Sequence, residues 1–133
     1  LFPNAKLLPG VADLITHLKE KNIPIAVATS STTENFKIKT NSPEKRKIFD
    51  LFDVIICGDD PRVKNPKPSS DIFVLAAKEL VKKCSLKDDK IKLEDVEIDP
   101  TKMLVFEDSL IGLTAAEAAG RTGKRRDPQE LYR

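Results

Sequence analysis

Three short stretches of this sequence hold residue types that could handle a charged ligand. The first is Met103-Leu104-Val105-Phe106-Glu107-Asp108-Ser109, an apolar run leading into an acidic pair and a hydroxyl. A continuous apolar run bounded by polar residues is the pattern of a strand buried on both faces. Glu107 and Asp108 are then expected at its carboxyl end, where open α/β sheets bind ligands. Two carboxylates there suit a hard cation such as Mg²⁺, which takes oxygen ligands; the alternative is a pair that only solvates a strand end. The second stretch is Thr29-Ser30-Ser31-Thr32-Thr33. Hydroxyls and free N–H groups at a helix N-terminus suit a phosphate, and they equally suit an ordinary cap. The third is Lys67, set between Pro66 and Pro68. Two prolines restrict its backbone, although a loop lysine is more often simply solvated.

Regular elements must carry these residues. Val11, Leu14, Ile15 and Leu18 follow i, i+3, i+4, i+7 and predict an amphipathic helix with Asn22 as its stop. His17 falls in that helix as a surface or boundary residue. Residues 23–28 read as a strand with Pro24 near its start, where proline is allowed. Ser31 and Glu34 have capping-box spacing for a helix through about Lys39. A polar turn and short helix fill 41–53, and Val54-Ile55-Ile56-Cys57 reads as another strand. Residues 58–68 form a proline-rich loop. Ser69 or Ser70 caps the next helix, whose apolar face is Ile72, Phe73, Ala76 and Leu80. Residues 84–99 read as a charged surface insertion with a short helix at most. Ser109 caps a helix over 110–119, and Gly120 suits its C′ position because it tolerates positive φ. The order αβαβαβα predicts a parallel sheet with helices on both faces. Its strand ends would bring Thr29, the 58–68 loop and Asp108 to one edge.

Composition narrows the function. The 133 residues fit one domain, with residues 1–9 as a linker and 121–133 as a basic, disordered tail. With 23 basic and 21 acidic residues, the net charge is +2, which argues against a dedicated nucleic-acid or membrane binder. No apolar run reaches the ~18 residues of a membrane span, and no leader pattern opens the chain. A single histidine and two cysteines leave too few ligands for a zinc site or a Ser-His-Asp triad. Cys57 and Cys84 read as reduced thiols of a cytoplasmic protein. No P-loop or dinucleotide fingerprint occurs.

Taken together, the stretches resemble motifs of the haloacid dehalogenase-like hydrolases. Val27-Ala28-Thr29 resembles the second motif and Lys67-Pro68 the third. Phe106-Glu107-Asp108-Ser109, with Gly112 and 115–120, resembles the fourth. Gly58-Asp59-Asp60-Pro61 and Asp71-Ile72-Phe73 look most like the pseudouridine-5′-phosphatase branch. The resemblance covers residues 1 to about 120. It implies a Rossmann-like three-layer α/β/α core, here incomplete, and hydrolysis of a small phosphorylated metabolite through an aspartyl-phosphate. It implies that Thr29, with Ser30 and Ser31, binds phosphate oxygens and that Lys67 bridges the phosphoryl group and the nucleophile. It assigns Mg²⁺ to Asp108, with Glu107 as a ligand or beside one. No nucleic-acid, membrane or specific protein partner is implied.

The departures are as informative. The family's first motif, Asp-x-Asp at the end of an apolar strand, does not occur here. The nucleophile, its partner acid and the substrate-selecting cap are expected upstream of Leu1. Pro66 stands where glycine is usual, and the family's apolar strand after Gly120 is replaced by a basic run. In the family the first strand lies between the motif-two and motif-four strands, so the sheet is expected to lack its middle. The chain as given is then expected to be inactive alone, and the competing expectation is a non-catalytic remnant or interaction module.

Overall fold

The computed structural model describes residues 5–120. The basic stretch 121–133 and the first four residues of the expected linker lie outside the described residues. In chain order the elements are α1 (Val11–Glu20), β1 (Ala26–Ala28), α2 (Thr33–Lys39), α3 (Pro43–Phe49), β2 (Val54–Ile56), α4 (Asp71–Leu80) and α5 (Leu110–Ala119). A π-helical turn, Val81–Leu86, extends α4, and short 3₁₀ turns cover Leu93–Asp95 and Pro100–Lys102.

Each helix begins and ends for local reasons. Gly10, at φ 82°, turns the chain into α1, a conformation that costs glycine little. Beyond α1, Asn22 adopts φ 56° and Ile23 N donates to Leu18 O at 3.0 Å. That left-handed exit closes the helix as a Schellman motif with asparagine in place of glycine. Thr32 caps α2 by accepting from Asn35 N, and Ser42 caps α3 by accepting from Lys45 N. The capping-box expectation for Ser31 and Glu34 is thereby corrected by one residue. Ser31 is engaged elsewhere: its carbonyl accepts from Gly58 N at 2.8 Å and its hydroxyl from Lys39 Nζ at 2.9 Å. Ser109 caps α5 as expected, accepting from Gly112 N. Gly120 ends α5 at φ −101°, so its left-handed freedom goes unused.

The sheet is a parallel pair, β1 beside β2, in the register Ala26↔Val54, Val27↔Ile55, Ala28↔Ile56. Alternation divides its two faces. Ala26, Ala28, Val54 and Ile56 meet α4 through Ile72 and Ala76. Val27 and Ile55 face the side of α2, bordering clefts lined by Phe36 and Thr40. A second core joins Ile15 of α1, Ile25 and Ile48 of α3, with Leu18, Leu51 and Phe52 around them. Leu14, expected on the same apolar face, stays 40% exposed because that core sits to one side of it. Asp53 ties the parts together. Its carboxylate accepts from Ile25 N at 2.9 Å and from Lys19 Nζ at 3.2 Å, and its backbone N donates to Ile25 O.

The expected third strand is corrected. Residues 103–106 belong to no ladder, and the described sheet has two strands. Leu104 and Phe106 are 67% and 73% exposed, so the run is not buried on both faces. Strand pairing needs a neighbouring backbone about 4.8 Å away. No backbone hydrogen bond ties the run to β1; the link between β1 and the residues after the run is Lys67, which donates to Ala28 O and to Glu107. The fold is therefore a small parallel sheet with helices on both sides, an incomplete α/β Rossmann-like core.

Candidate functional site

The loop between β2 and α4 is braced before it reaches Lys67. Asp59 accepts from both Thr33 N and Thr33 Oγ1 at 2.9 Å, tying the loop to the start of α2. Arg62 holds Asp60 with Nε at 3.0 Å and Nη2 at 2.8 Å, and reaches Glu79 of α4 with Nη1 at 2.5 Å. Such a fork to a carboxylate fixes direction as well as distance. It lowers the Asp60 carboxyl below its ordinary range. Asp71, at the head of α4, accepts from Asn65 N at 3.0 Å and from Ser69 Oγ at 3.0 Å. Ser69 Oγ in turn accepts from Asp71 N, while Ser70 occupies the cap position without a side-chain bond.

So fixed, the loop turns the Lys67 side chain inward. Its ammonium donates to Ala28 O at 3.2 Å and to Glu107 Oε2 at 2.8 Å, and it lies 4.8 Å from the centre of the Phe73 ring. The Lys67 side chain is 8% exposed and that of Glu107 12%. A desolvated ammonium between a carboxylate, a carbonyl and a ring face is held far more firmly than a surface lysine. Burial pushes the Glu107 carboxyl up, but the Lys67 bond, the Ser109 N–H and the Ser109 hydroxyl outweigh it and bring it down to about 2.

Glu107 is also fully occupied on its other oxygen. Oε1 accepts from Asp108 N at 3.1 Å, Ser109 N at 3.1 Å and Ser109 Oγ at 3.0 Å. The carboxylate of Asp108, the next residue, lies on an exposed residue. Among the described residues no group of three or more His, Cys, Asp or Glu side chains could hold a metal ion. A magnesium ion prefers six oxygen ligands, usually with one or two carboxylates, waters and phosphate oxygens. With Glu107 committed to Lys67 and Ser109, the described residues do not by themselves fit a magnesium site.

The hydroxyl stretch sits at the neighbouring strand end. Thr29 N donates to Ile56 O at 3.0 Å, and Thr29 Oγ1 accepts from Ser31 N at 3.1 Å. That turn leaves the hydroxyl proton of Thr29 to be directed outward. Thr29 and Ser31 border an open cleft of about 380 Å³ whose other walls include Phe36, Lys39, Lys45 and Phe49. Ser30 is exposed, and its carbonyl lies so close to Gly58 that a Cβ there would collide with it. The structure thus brings Lys67, Glu107 and the end of β1 together. It sets Thr29 one residue beyond the Lys67 contact and leaves Asp108 on the rim. Sequence reasoning missed Phe73 as a partner of Lys67, having placed it on an apolar helix face and in a stretch that carries the resemblance. It also gave no bracing role to Asp59 and Asp71, which it quoted only within the stretches that carry the resemblance.

A parallel α/β core with a lysine from the β2–α4 loop closing on an acidic residue before α5 defines a class. The family model for haloacid dehalogenase-like hydrolases matches residues 1–120, and the chain belongs to that family. Among its relatives, "(DL)-glycerol-3-phosphatase 1, mitochondrial" of Arabidopsis thaliana is 40% identical over 120 residues, 90% of this chain and 35% of that protein. A "Probable pseudouridine-5'-phosphatase" of Saccharomyces cerevisiae is 42% identical over 117 residues, 86% of this chain and 44% of that protein. A "Probable pseudouridine-5'-phosphatase" of Drosophila melanogaster is 38% identical over 121 residues, 90% of this chain and 46% of that protein. The chain therefore spans less than half the length of these relatives. No helix among the described residues is long and apolar enough to cross a membrane.

Proposed function

We propose that these residues form the phosphate-orienting part of a phosphatase acting on small phosphorylated metabolites. Glycerol 3-phosphate and pseudouridine 5′-phosphate are the substrates suggested by its relatives' names. The observation that carries this reading is the Lys67 ammonium, which joins the end of β1 to Glu107. In phosphoryl transfer the protein mainly positions the group and neutralises its charge. Thr29 donates its hydroxyl proton to a phosphate oxygen, with Ser30 and Ser31 beside it, and Lys67 supplies positive charge to the phosphoryl group. Asp108 contributes one oxygen ligand to a divalent cation. The attacking aspartate comes from an Asp-x-Asp strand, which these residues do not contain. The chain alone is accordingly inactive. Free Cys57 and Cys84 support a reducing compartment such as the cytoplasm.

The test is steady-state hydrolysis of both phosphate esters with MgCl₂. The chain alone gives no turnover. Joined to a relative's upstream Asp-x-Asp strand and cap, it turns over at least one ester, and Lys67→Ala or Asp108→Asn lowers kcat by about 10²-fold or more. Asp108-dependent turnover by the chain alone would contradict its inactivity. A chimera whose kcat stays within about threefold on either substitution would remove that residue from the site.

The competing reading is a non-catalytic interaction module. It is favoured by the exposed apolar side chains of Leu104, Phe106, Leu110 and Ile111. Stable capture of a protein partner, relieved by charged substitutions on that face and unaffected by Lys67→Ala, would support it.

A further inference from the structure

We propose that Gly112 is a positioning residue: the space left by its missing side chain is the seat that aims the Glu107 carboxylate at Lys67. This rests on the reading of Lys67 given above. Glu107 precedes α5 and folds back over that helix's first turn. Its Oε1 gathers Asp108 N, Ser109 N and Ser109 Oγ, which leaves Oε2 directed at Lys67 Nζ at 2.8 Å. Ser109 Oγ also accepts from Gly112 N at 3.1 Å, so the same hydroxyl orients both the carboxylate and the helix turn beneath it.

Position 112 lies directly under the carboxylate. A Cβ built there would overlap Glu107 Cγ, Cδ and Oε2, all side-chain atoms of one residue. Glycine inside a helix is unfavourable relative to alanine, and Gly112 carries no positive φ. Backbone conformation therefore does not call for glycine here, whereas the approach of Glu107 does. Gly120 supplies the comparison: a Cβ there meets only Ala116 O, at an ordinary 3.5 Å.

The consequence is specific. Any side chain at 112 pushes Glu107 off its seat, opens the Lys67 pair and frees the ammonium, while α5 itself gains helix propensity. Gly112 thus acts through Glu107 on Lys67 and touches no substrate.

The experiment is acetylation of the full chain with acetic anhydride, read lysine by lysine by mass spectrometry. Exposed Lys47 is the internal reference. A group reached only through local opening reacts slowly, so Lys67 should label about tenfold or more slower than Lys47 in the parent chain. Gly112→Ala should remove most of that protection, and Gly120→Ala should leave it within about twofold. Glu107→Ala and the double variant Glu107→Ala/Gly112→Ala should label Lys67 equally, because residue 112 has nothing left to displace. Melting temperatures of all variants, taken in parallel, separate lost seating from lost folding. Full protection of Lys67 in Gly112→Ala would overturn the proposal. So would extra exposure in the double variant beyond Glu107→Ala alone, which would mean that Gly112 acts through packing. Lys67 as reactive as Lys47 in the parent would overturn it too. None of these readouts requires phosphatase activity, so the seating of Glu107 and the proposed reaction stand or fall separately.

Discussion

Lys67 Nζ lies 2.8 Å from Glu107 Oε2, and 40 residues of sequence separate the two. Both side chains are nearly enclosed, at 8% and 12% exposure. Lys67 also donates to Ala28 O at the end of β1, so the pair is a polar clasp between β1 and the residues leading into α5, which share no backbone ladder among the described residues.

Breaking that clasp from one side should therefore cost more than removing it whole. Glu107→Leu or Lys67→Met alone leaves a desolvated charge and is expected to lower stability by about 3 kcal/mol. The double variant Lys67→Met/Glu107→Leu should recover much of the loss. Urea unfolding of the four species measures the coupling. Additive single losses would show that the two charges do not depend on each other.

Acid should loosen the fold through a named set of carboxylates. Glu107 is lowered from 4.5 to about 2 by Lys67 and Ser109 against the opposing effect of burial. Asp60 is lowered by Arg62, and Asp53 by Ile25 N–H and Lys19 against burial. A carboxyl whose folded pKa lies below its unfolded value stabilises above the unfolded value, and the contribution fades as pH falls through the folded one. Melting temperature should thus be flat above about pH 5 and decline steadily toward pH 2. Glu107→Gln should flatten the lower part of that decline. An unchanged slope would mean that the Glu107 carboxyl is not held ionised by the fold.

Magnesium should bind the chain weakly. Glu107 has its oxygens committed, and Asp108 is a single exposed carboxylate. Calorimetric titration with MgCl₂ should show half-saturation above roughly 1 mM, with little change on Asp108→Asn. Tight binding that vanishes in Asp108→Asn would require further ligands to gather around it.

The apolar side chains after residue 103 should drive self-association. Leu104, Phe106 and Leu110 are 67%, 73% and 79% exposed, and Ile111 and Leu113 extend the same sequence region. An extended apolar run without a strand partner offers both surface and backbone to another chain. Sedimentation velocity should show concentration-dependent oligomers. Phe106→Lys/Leu110→Lys should shift them toward monomer. A monomer at all concentrations would leave that face without a partner of its own kind.

Local chemistry was legible in the sequence. Asparagine and hydroxyl positions marked helix boundaries at Asn22 and Ser109, because caps and left-handed exits depend on residues only a few positions away. The apolar runs 23–28 and 54–57 marked β1 and β2, which the fold trims to Ala26–Ala28 and Val54–Ile56, and the element order marked their parallel pairing. The element order set Thr29, the 58–68 loop and Asp108 at one edge as an expectation, while the Lys67–Glu107 bond is visible only in the fold. What tertiary structure decided was whatever depends on a neighbour distant in sequence. Residues 103–106 have a strand's composition yet form none, because pairing requires a second backbone beside them. Ser31 has a cap's spacing yet yields to Thr32, because Gly58 N and Lys39 claim its oxygens. Glu107 reads as a metal ligand or a residue beside one, and the fold adds what sequence does not show: its oxygens meet Lys67 and Ser109. Gly112 enters the sequence reading as part of the fourth-motif resemblance, and only the folded-back carboxylate above it gives a physical reason for the missing side chain.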